Sequence, residues 1–224
     1  MGKPGQQVHH CDSQPRRLRG RPREFDRDAA LEKAMRLFWQ KGYDATSISE
    51  LTQAMEIKPP SLYASFGCKE NLYKEALQYY RDKHEHLSFG GFFKAETARD
   101  AVYAFLSDTV TGLTSCLLDA PYGCMVTLST VGAEGHDELA AEMRSARAAT
   151  LDKLKVRLAR AAADGEIGSH VDMHALARYV QCSQGGLSIL ARDGASRAEL
   201  QSVVELVMLG WDARTGARVP GTAG

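Results

Sequence analysis

The sequence predicts an all-α fold: a small N-terminal three-helix unit followed by a larger helical one. Three observations carry that expectation. Apolar residues recur at spacings of three and four nearly everywhere after Phe25, the period of a helix with one buried face. Glycine, proline and short polar clusters punctuate the chain where helices would begin and end. No run of alternating β-branched residues lies between turn residues, as a strand would require.

Composition agrees with a packed domain. The 224 residues are 44% hydrophobic and 25% charged, which is ordinary globular usage and excludes a disordered chain, a collagen-like fibre or a disulfide scaffold. No apolar run approaches the roughly 18 residues of a membrane-spanning helix, and the N-terminus lacks the apolar segment of a secretory signal. These features predict a cytoplasmic chain with its five cysteines as reduced thiols. The net charge is zero, but the charge is not evenly spread. Residues 1–85 hold fifteen basic and twelve acidic groups, and the remainder is acidic by the same margin.

Residues 1–24 are rich in Gly, Pro, Gln, Arg and His and almost free of apolar side chains, so they predict a disordered basic arm. Helix one follows, with Leu31, Met35 and Phe38 on one face and Gly42 as its stop. Helix two is expected over 47–55, with Ser47 and Glu50 as a capping box at its start. Helix three is expected to begin at about Pro60 and to end at Gly67. The tandem prolines are cheap there because first-turn N–H groups have no helical partner anyway. Helix four is expected from about Lys69 to Leu87. Further helices are expected over 96–118, 123–132, 137–163, 172–192 and 196–213, with a frayed tail at 215–224.

Two short helices joined by Glu56-Ile57-Lys58, behind a longer one, have the layout of a helix-turn-helix. In such a unit one helix braces across the DNA backbone and the next enters the major groove. Lys58 and Lys69 are natural phosphate partners. The N–H groups and dipole at the start of helix three would add to that attraction. Ser61 and Ser65 are short enough to reach phosphates or base edges, and Tyr63 carries a hydroxyl on a rigid stem. By spacing alone Tyr63 also suits a core position. Arg19, Arg21 and Arg23, held extended by Gly20 and Pro22, suit either a solvated tail or insertion into a narrow, negative minor groove. The helix-turn-helix directly after them favours the groove.

Residues 25–77 resemble the DNA-binding domain of the tetracycline-repressor-like (TetR) family of bacterial regulators. The resemblance rests on Phe25-Asp26-Arg27, Leu37-Phe38, Gly42-Tyr43, Thr46-Ser47-Ile48, Ile57, Ser61-Leu62-Tyr63, Phe66 and Lys69-Glu70-x-Leu72. It departs from the family at Pro60, Ala64, Ser65 and Cys68. The resemblance implies a helix-turn-helix DNA-binding domain over residues 25–70. It implies a C-terminal helical ligand-binding and dimerisation domain over 71–214. It further implies a homodimeric regulator, most often a repressor, that binds a palindromic double-stranded operator and is released by a small effector. Thr46, Ser47, Lys58, Pro60, Ser61, Tyr63, Ser65 and Lys69 are its implied DNA-facing residues.

The C-terminal half is less specific. Leu113, Cys116, Tyr122, Cys124, Met125, Leu128, Met143 and Cys182 are candidate walls of a pocket, and the scarcity of ionisable groups among them suggests a mostly apolar effector. For most of them ordinary core packing is the competing role. Gly185, Gly186, Leu187, Leu190, Leu206, Val207 and Leu209 are candidate dimer contacts, small residues allowing close approach and leucines supplying area. Cys68 and Cys124 each stand at an expected helix start, where thiol pKa falls, so a redox- or electrophile-responsive regulator is an alternative, as is control by a protein partner. No cofactor is expected. No His, Cys, Asp or Glu cluster has metal-ligand spacing. No Gly-rich phosphate loop, nucleophile elbow or paired acid–base motif points to an enzyme.

Overall fold

The computed structural model describes residues 25–114, 121–129 and 136–216. Arg19, Arg21, Arg23, Cys116 and the tail beyond 216 lie outside the described residues, and every regular element within them is a helix.

The first helix, α1 (Arg27–Lys41), begins where the Asp26 carboxylate accepts the Ala29 N–H at 3.0 Å, satisfying one of the orphan donors of a helix start. Its buried face holds Leu31, Met35 and Phe38 as expected, with Trp39 beside them. In α2 (Ile48–Met55) the Ser47–Glu50 capping box forms in both directions. The third helix, α3 (Pro59–Phe66), starts one residue before its expected position, because Lys58 takes the extended N-cap conformation and both prolines fall in the first turn. Gly67 ends it at φ 76°, a left-handed backbone that a side chain would strain. The next helix, α4 (Lys69–Phe89), runs past the breaker signal at Ser88. Phe89 is buried and its ring lies 4.8 Å from that of Phe105, so packing overrides the local preference.

The second half comprises α5 (Ala98–Thr114), α6 (Met125–Leu128), α7 (Asp137–Ala163), α8 (Met173–Arg192) and α9 (Arg197–Thr215). Two expectations are corrected here. The helix expected over 123–132 is a single turn, because the backbone turns extended at Ser129, whose hydroxyl accepts from buried Tyr73 at 2.6 Å. Thr215, expected in a frayed tail, is the last residue of α9: it is buried, and its hydroxyl donates to the Trp211 carbonyl at 2.9 Å.

Two apolar clusters organise the molecule. One gathers α1 to α4 together with Met125, Leu139, Met143 and Ala146, and the other gathers Phe89, α5 and the apolar faces of α7, α8 and α9. The N-terminal cluster therefore reaches into α6 and α7, and α4 contributes to both. Between them sits a polar clasp. Trp39 Nε1 donates to the Gly123 carbonyl at 3.0 Å. Arg192, near the end of α8, donates to the carbonyls of Tyr122, Trp39 and Gln40 at 2.7, 2.9 and 3.2 Å. Gly123 is required at this joint: its φ is 83°, and a Cβ would collide with the Leu128 side chain and stand 2.9 Å from the Ser188 carbonyl.

Candidate nucleic-acid interface

The turn between α2 and α3 is fixed by backbone. Glu56 adopts a left-handed conformation at φ 59°, with its N–H directed back to the carbonyls of Thr52 and Gln53. Leu51 and Met55 of α2 and Leu62 and Phe66 of α3 are buried against the body, so the opposite side of α3 must face outward. That side presents Lys58, Pro60, Ser61 and Tyr63, all exposed. Tyr63 is 49% exposed, which resolves its two readings: it is not core. Pro59 and Ala64 share this exposed surface and were absent from the expected set, since neither carries a polar signal.

Arg27 holds α3 at its far end. Its guanidinium donates to the Ser65 carbonyl at 3.3 Å, pairs with Glu75 at 2.7 Å and lies 4.4 Å from the Phe66 ring centroid. Ser65 is only half-buried and takes part through this carbonyl. Lys69 lies over the Tyr43 ring at 4.2 Å, and burial lowers its pKa.

Three expectations change. Thr46 is fully buried and donates its hydroxyl to the Gly42 carbonyl at 2.6 Å, so its side chain braces the α1–α2 turn and does not face outward. Ser47 is exposed, but its hydroxyl donates to Glu50 at 2.8 Å and accepts the Glu50 N–H at 3.2 Å. The start of α3 is also a poorer anion site than a helix N-terminus usually is: Pro59 and Pro60 have no N–H, and the Ser61 N–H already bonds Lys58. Positive charge on this face comes from side chains, Lys58 and Lys69.

The opposite half of the molecule contains a cavity of about 300 Å³, walled by α4, α5, α6, α7 and α8. Of the expected wall residues that are described, only Cys124 lines it. Leu113 and Met125 are core, Met143 is core and accepts weakly from the Tyr73 hydroxyl at 3.5 Å, and Leu128 packs at Gly123. Tyr122 and Cys182 are exposed. For Cys182 the cause is helix phase: α8 turns Gln181, Gln184 and Gly185 to the cavity and Cys182 away. The lining is also more polar than expected, with Arg81, His84, Arg147 and Arg178 among it. The signal missed in the sequence is a polar stripe at helical spacing, Arg81, His84, Glu85 and Ser88 on α4. Tyr80 closes one wall by hydrogen bonds with the Cys124 thiol and the Met125 N–H, and burial raises its pKa far above the usual phenol value. Burial lowers the pKa of His84.

On the outer face of α8 and α9, Leu190, Leu206 and Leu209 are exposed, the last two by 66% and 58%. Ile189 at 53% and Tyr179 join them. Gly186 is exposed with open space around it. Leu187 is buried in its own core and so faces no partner, while Gly185, which lines the cavity, and Val207, packed against the core, are half-buried. Among the described residues no group of three or more His, Cys, Asp or Glu side chains could hold a metal ion, and no helix is long and apolar enough to cross a membrane.

Comparison with known proteins adds an independent line. Residues 30–76 match the family model described as bacterial regulatory proteins, tetR family. Over 201 residues the chain is 37% identical to the HTH-type transcriptional repressor ComR of Escherichia coli (strain K12), covering 88% of this chain and 93% of that one. Over 64 residues it is 48% identical to the HTH-type transcriptional repressor BdcR of the same strain, 29% of this chain and 32% of that one. It is also similar to a cysteine-substituted variant of the TetR family transcriptional regulator CifR, solved in complex with 26-base-pair double-strand operator DNA. The identity is 38%, the match covers 86% of this chain and 100% of that chain, and the TM-score is 0.79.

Proposed function

Because the chain belongs to the TetR family of bacterial regulators, we propose that it is a homodimeric transcriptional repressor, released from a palindromic operator by a small molecule bound in the α4–α8 cavity. The observation that carries the DNA-binding part is the outward face of α3, where Lys58, Pro60, Ser61 and Tyr63 stand exposed on a helix whose other side is locked into the core. Lys58 and Lys69 neutralise phosphates and set register, while Ser61 and Tyr63 meet base edges. Arg19, Arg21 and Arg23 supply charge for the adjacent minor groove in this reading. The operator complex of the CifR variant and the repressor names of the ComR and BdcR relatives support the reading. The exposed α8–α9 leucines pair with a second copy, which sets two α3 helices about one DNA turn apart, ~34–36 Å.

Release follows from linkage. An effector shifts the protein only as far as its affinity differs between DNA-competent and incompetent forms. The cavity shares Cys124 and α6 with the joint at Gly123, which Trp39 and Arg192 tie to α1, so a change in cavity shape reaches the DNA-reading helices through that joint. The test is to sequence genomic fragments retained by the purified protein at near-physiological salt. An enriched palindrome is the expected result, and recovery of unrelated fragments only would overturn operator recognition.

Cys124 gives a second reading specific support. Its thiol lines the cavity and bonds Tyr80, so an electrophile entering the cavity meets a nucleophilic atom there. Cys68 lies on the DNA side, exposed, accepting the Asn71 N–H at 3.4 Å. Loss of a peroxide or electrophile response in Cys124→Ser, with Cys68→Ser unaffected, is the expected outcome for that reading; an unchanged response in both removes it.

A further inference from the structure

The cavity is unbalanced in charge. Three helices each contribute one arginine to its wall: Arg81 from α4, Arg147 from α7 and Arg178 from α8. Among the described residues the wall has one carboxylate, Glu85, and it is paired with Lys153 from outside the wall. Among the described residues no carboxylate pairs with any of the three arginines. Among the described residues Arg147 donates to the carbonyls of Val126 and Ser129, at 3.5 and 3.3 Å. Arg178 donates to the Gln181 side-chain oxygen at 2.9 Å, and Gln181 in turn donates to the Arg147 carbonyl at 2.9 Å. Gln181 thus ties together the two helices that carry these cations. His84 supplies no negative charge.

The cavity also has an apolar wall. Phe89, Phe105 and Val126 line the cavity, and the Lys153 ammonium lies 4.6 Å from the Phe89 ring centroid. Arg81 and Arg147 are half-buried and Arg178 is exposed, so the first two give up part of their hydration in a partly apolar space, and like charges lining one cavity repel one another unless an anion joins them. A planar, forked donor is also the side chain best matched to a carboxylate or phosphate. The volume is at the lower end of small-molecule sites.

We propose that the effector is an anionic amphiphile, its carboxylate or phosphate-like head held by Arg81 and Arg178 and its aromatic or aliphatic body laid against Phe89 and Phe105. This rests on the reading that the cavity is the effector site. It replaces the mostly apolar effector expected from the sequence.

The test uses the full-length protein and three matched probes: 2-naphthoate, 2-naphthalenemethanol and 2-naphthylmethylammonium. They share one apolar body and differ in the charge of the head. Titration calorimetry is expected to give naphthoate an affinity at least about tenfold above that of the alcohol, with the ammonium weakest. Arg81→Gln and Arg178→Gln each lower naphthoate affinity several-fold and leave the alcohol unchanged, while Thr150→Trp, which fills the cavity, removes binding of both. Circular dichroism checks that each variant is folded. Equal binding of the three probes, abolished by Thr150→Trp, overturns the anion preference and leaves the cavity as an effector site. Binding that Thr150→Trp does not touch, or no binding at all, overturns both. Naphthoate that binds through the arginines without weakening operator binding upholds the anion site and sinks the release reading.

Discussion

Tyr63 and Lys58 stand five residues apart on one helix and should fail in different ways. Lys58 is an exposed cation at the N-cap of a helix whose first two residues lack N–H groups, so its charge is the main electrostatic contribution at that point. Lys58→Ala is expected to weaken binding to operator and to random DNA alike, and to lower the slope of log affinity against log salt by about one unit. Tyr63→Ala removes the proposed base-edge contact and is expected to cost about 1–3 kcal/mol on the operator with little effect on random DNA. Fluorescence anisotropy at several salt concentrations separates the two; equal losses on both DNAs for Tyr63→Ala would place it off the groove. Glu50 makes a pH prediction at the same scale. The Lys41 ammonium and the Ser47 backbone and hydroxyl donors hold its carboxyl down to about 2, from an ordinary 4.5. A depressed folded-state pKa contributes stability that is present above the ordinary value and lost as pH falls toward the folded one. Unfolding midpoints of the wild type should therefore decline between about pH 4.5 and 2 more steeply than those of Glu50→Gln.

Among the elements, the joint at Gly123 is the proposed route of communication between the two clusters. Trp39→Phe deletes the Nε1 donor while keeping an aromatic ring near Tyr80, whose centroid lies 4.8 Å away. It leaves the Gly123 carbonyl without that partner and is expected to cost about 1–3 kcal/mol, read as a fall in Tm. Because the joint lies between cavity and α1, the same change should also shrink the effector's influence on operator affinity. A lower Tm with full effector response would show that coupling travels elsewhere, along α4. The sequence made some elements legible and not others for a common reason. The helix-turn-helix is specified locally, by Ser47 with Glu50, by two prolines in one turn and by Gly67, and each signal acts within four residues. The cavity is assembled from five helices, so its lining depends on helix phase and crossing, which no local pattern carries. That is why Leu113 and Met143 were expected on its wall and Arg81 and Arg178 were not. The single turn of α6 escaped notice similarly, since the Tyr73–Ser129 bond that ends it joins residues 56 apart.

At the scale of the whole molecule, the exposed apolar face of α8 and α9 and the DNA surface of α3 pose one question. A palindrome is read well only if both half-sites are bound by one rigid body. Linking two weak readers makes the second contact intramolecular, which raises apparent affinity by on the order of 10²-fold or more without any new contact. Leu206 and Leu209 lie on the exposed face, outside the core, so changing them should not unfold the subunit. Leu206→Glu with Leu209→Glu puts two carboxylates into a surface that dimerisation would desolvate, and unpaired buried charge is costly. The double variant is expected to run as a monomer in light scattering, to keep its helical circular dichroism, and to lose on the order of a hundredfold in operator affinity. Its binding to an isolated half-site should stay that of the wild type, because Lys58, Ser61 and Tyr63 are untouched. A variant that remains dimeric would put the interface on another surface. A monomer with undiminished operator affinity would mean that each subunit reads its half-site alone, and that an effector acts within one chain instead of by respacing two.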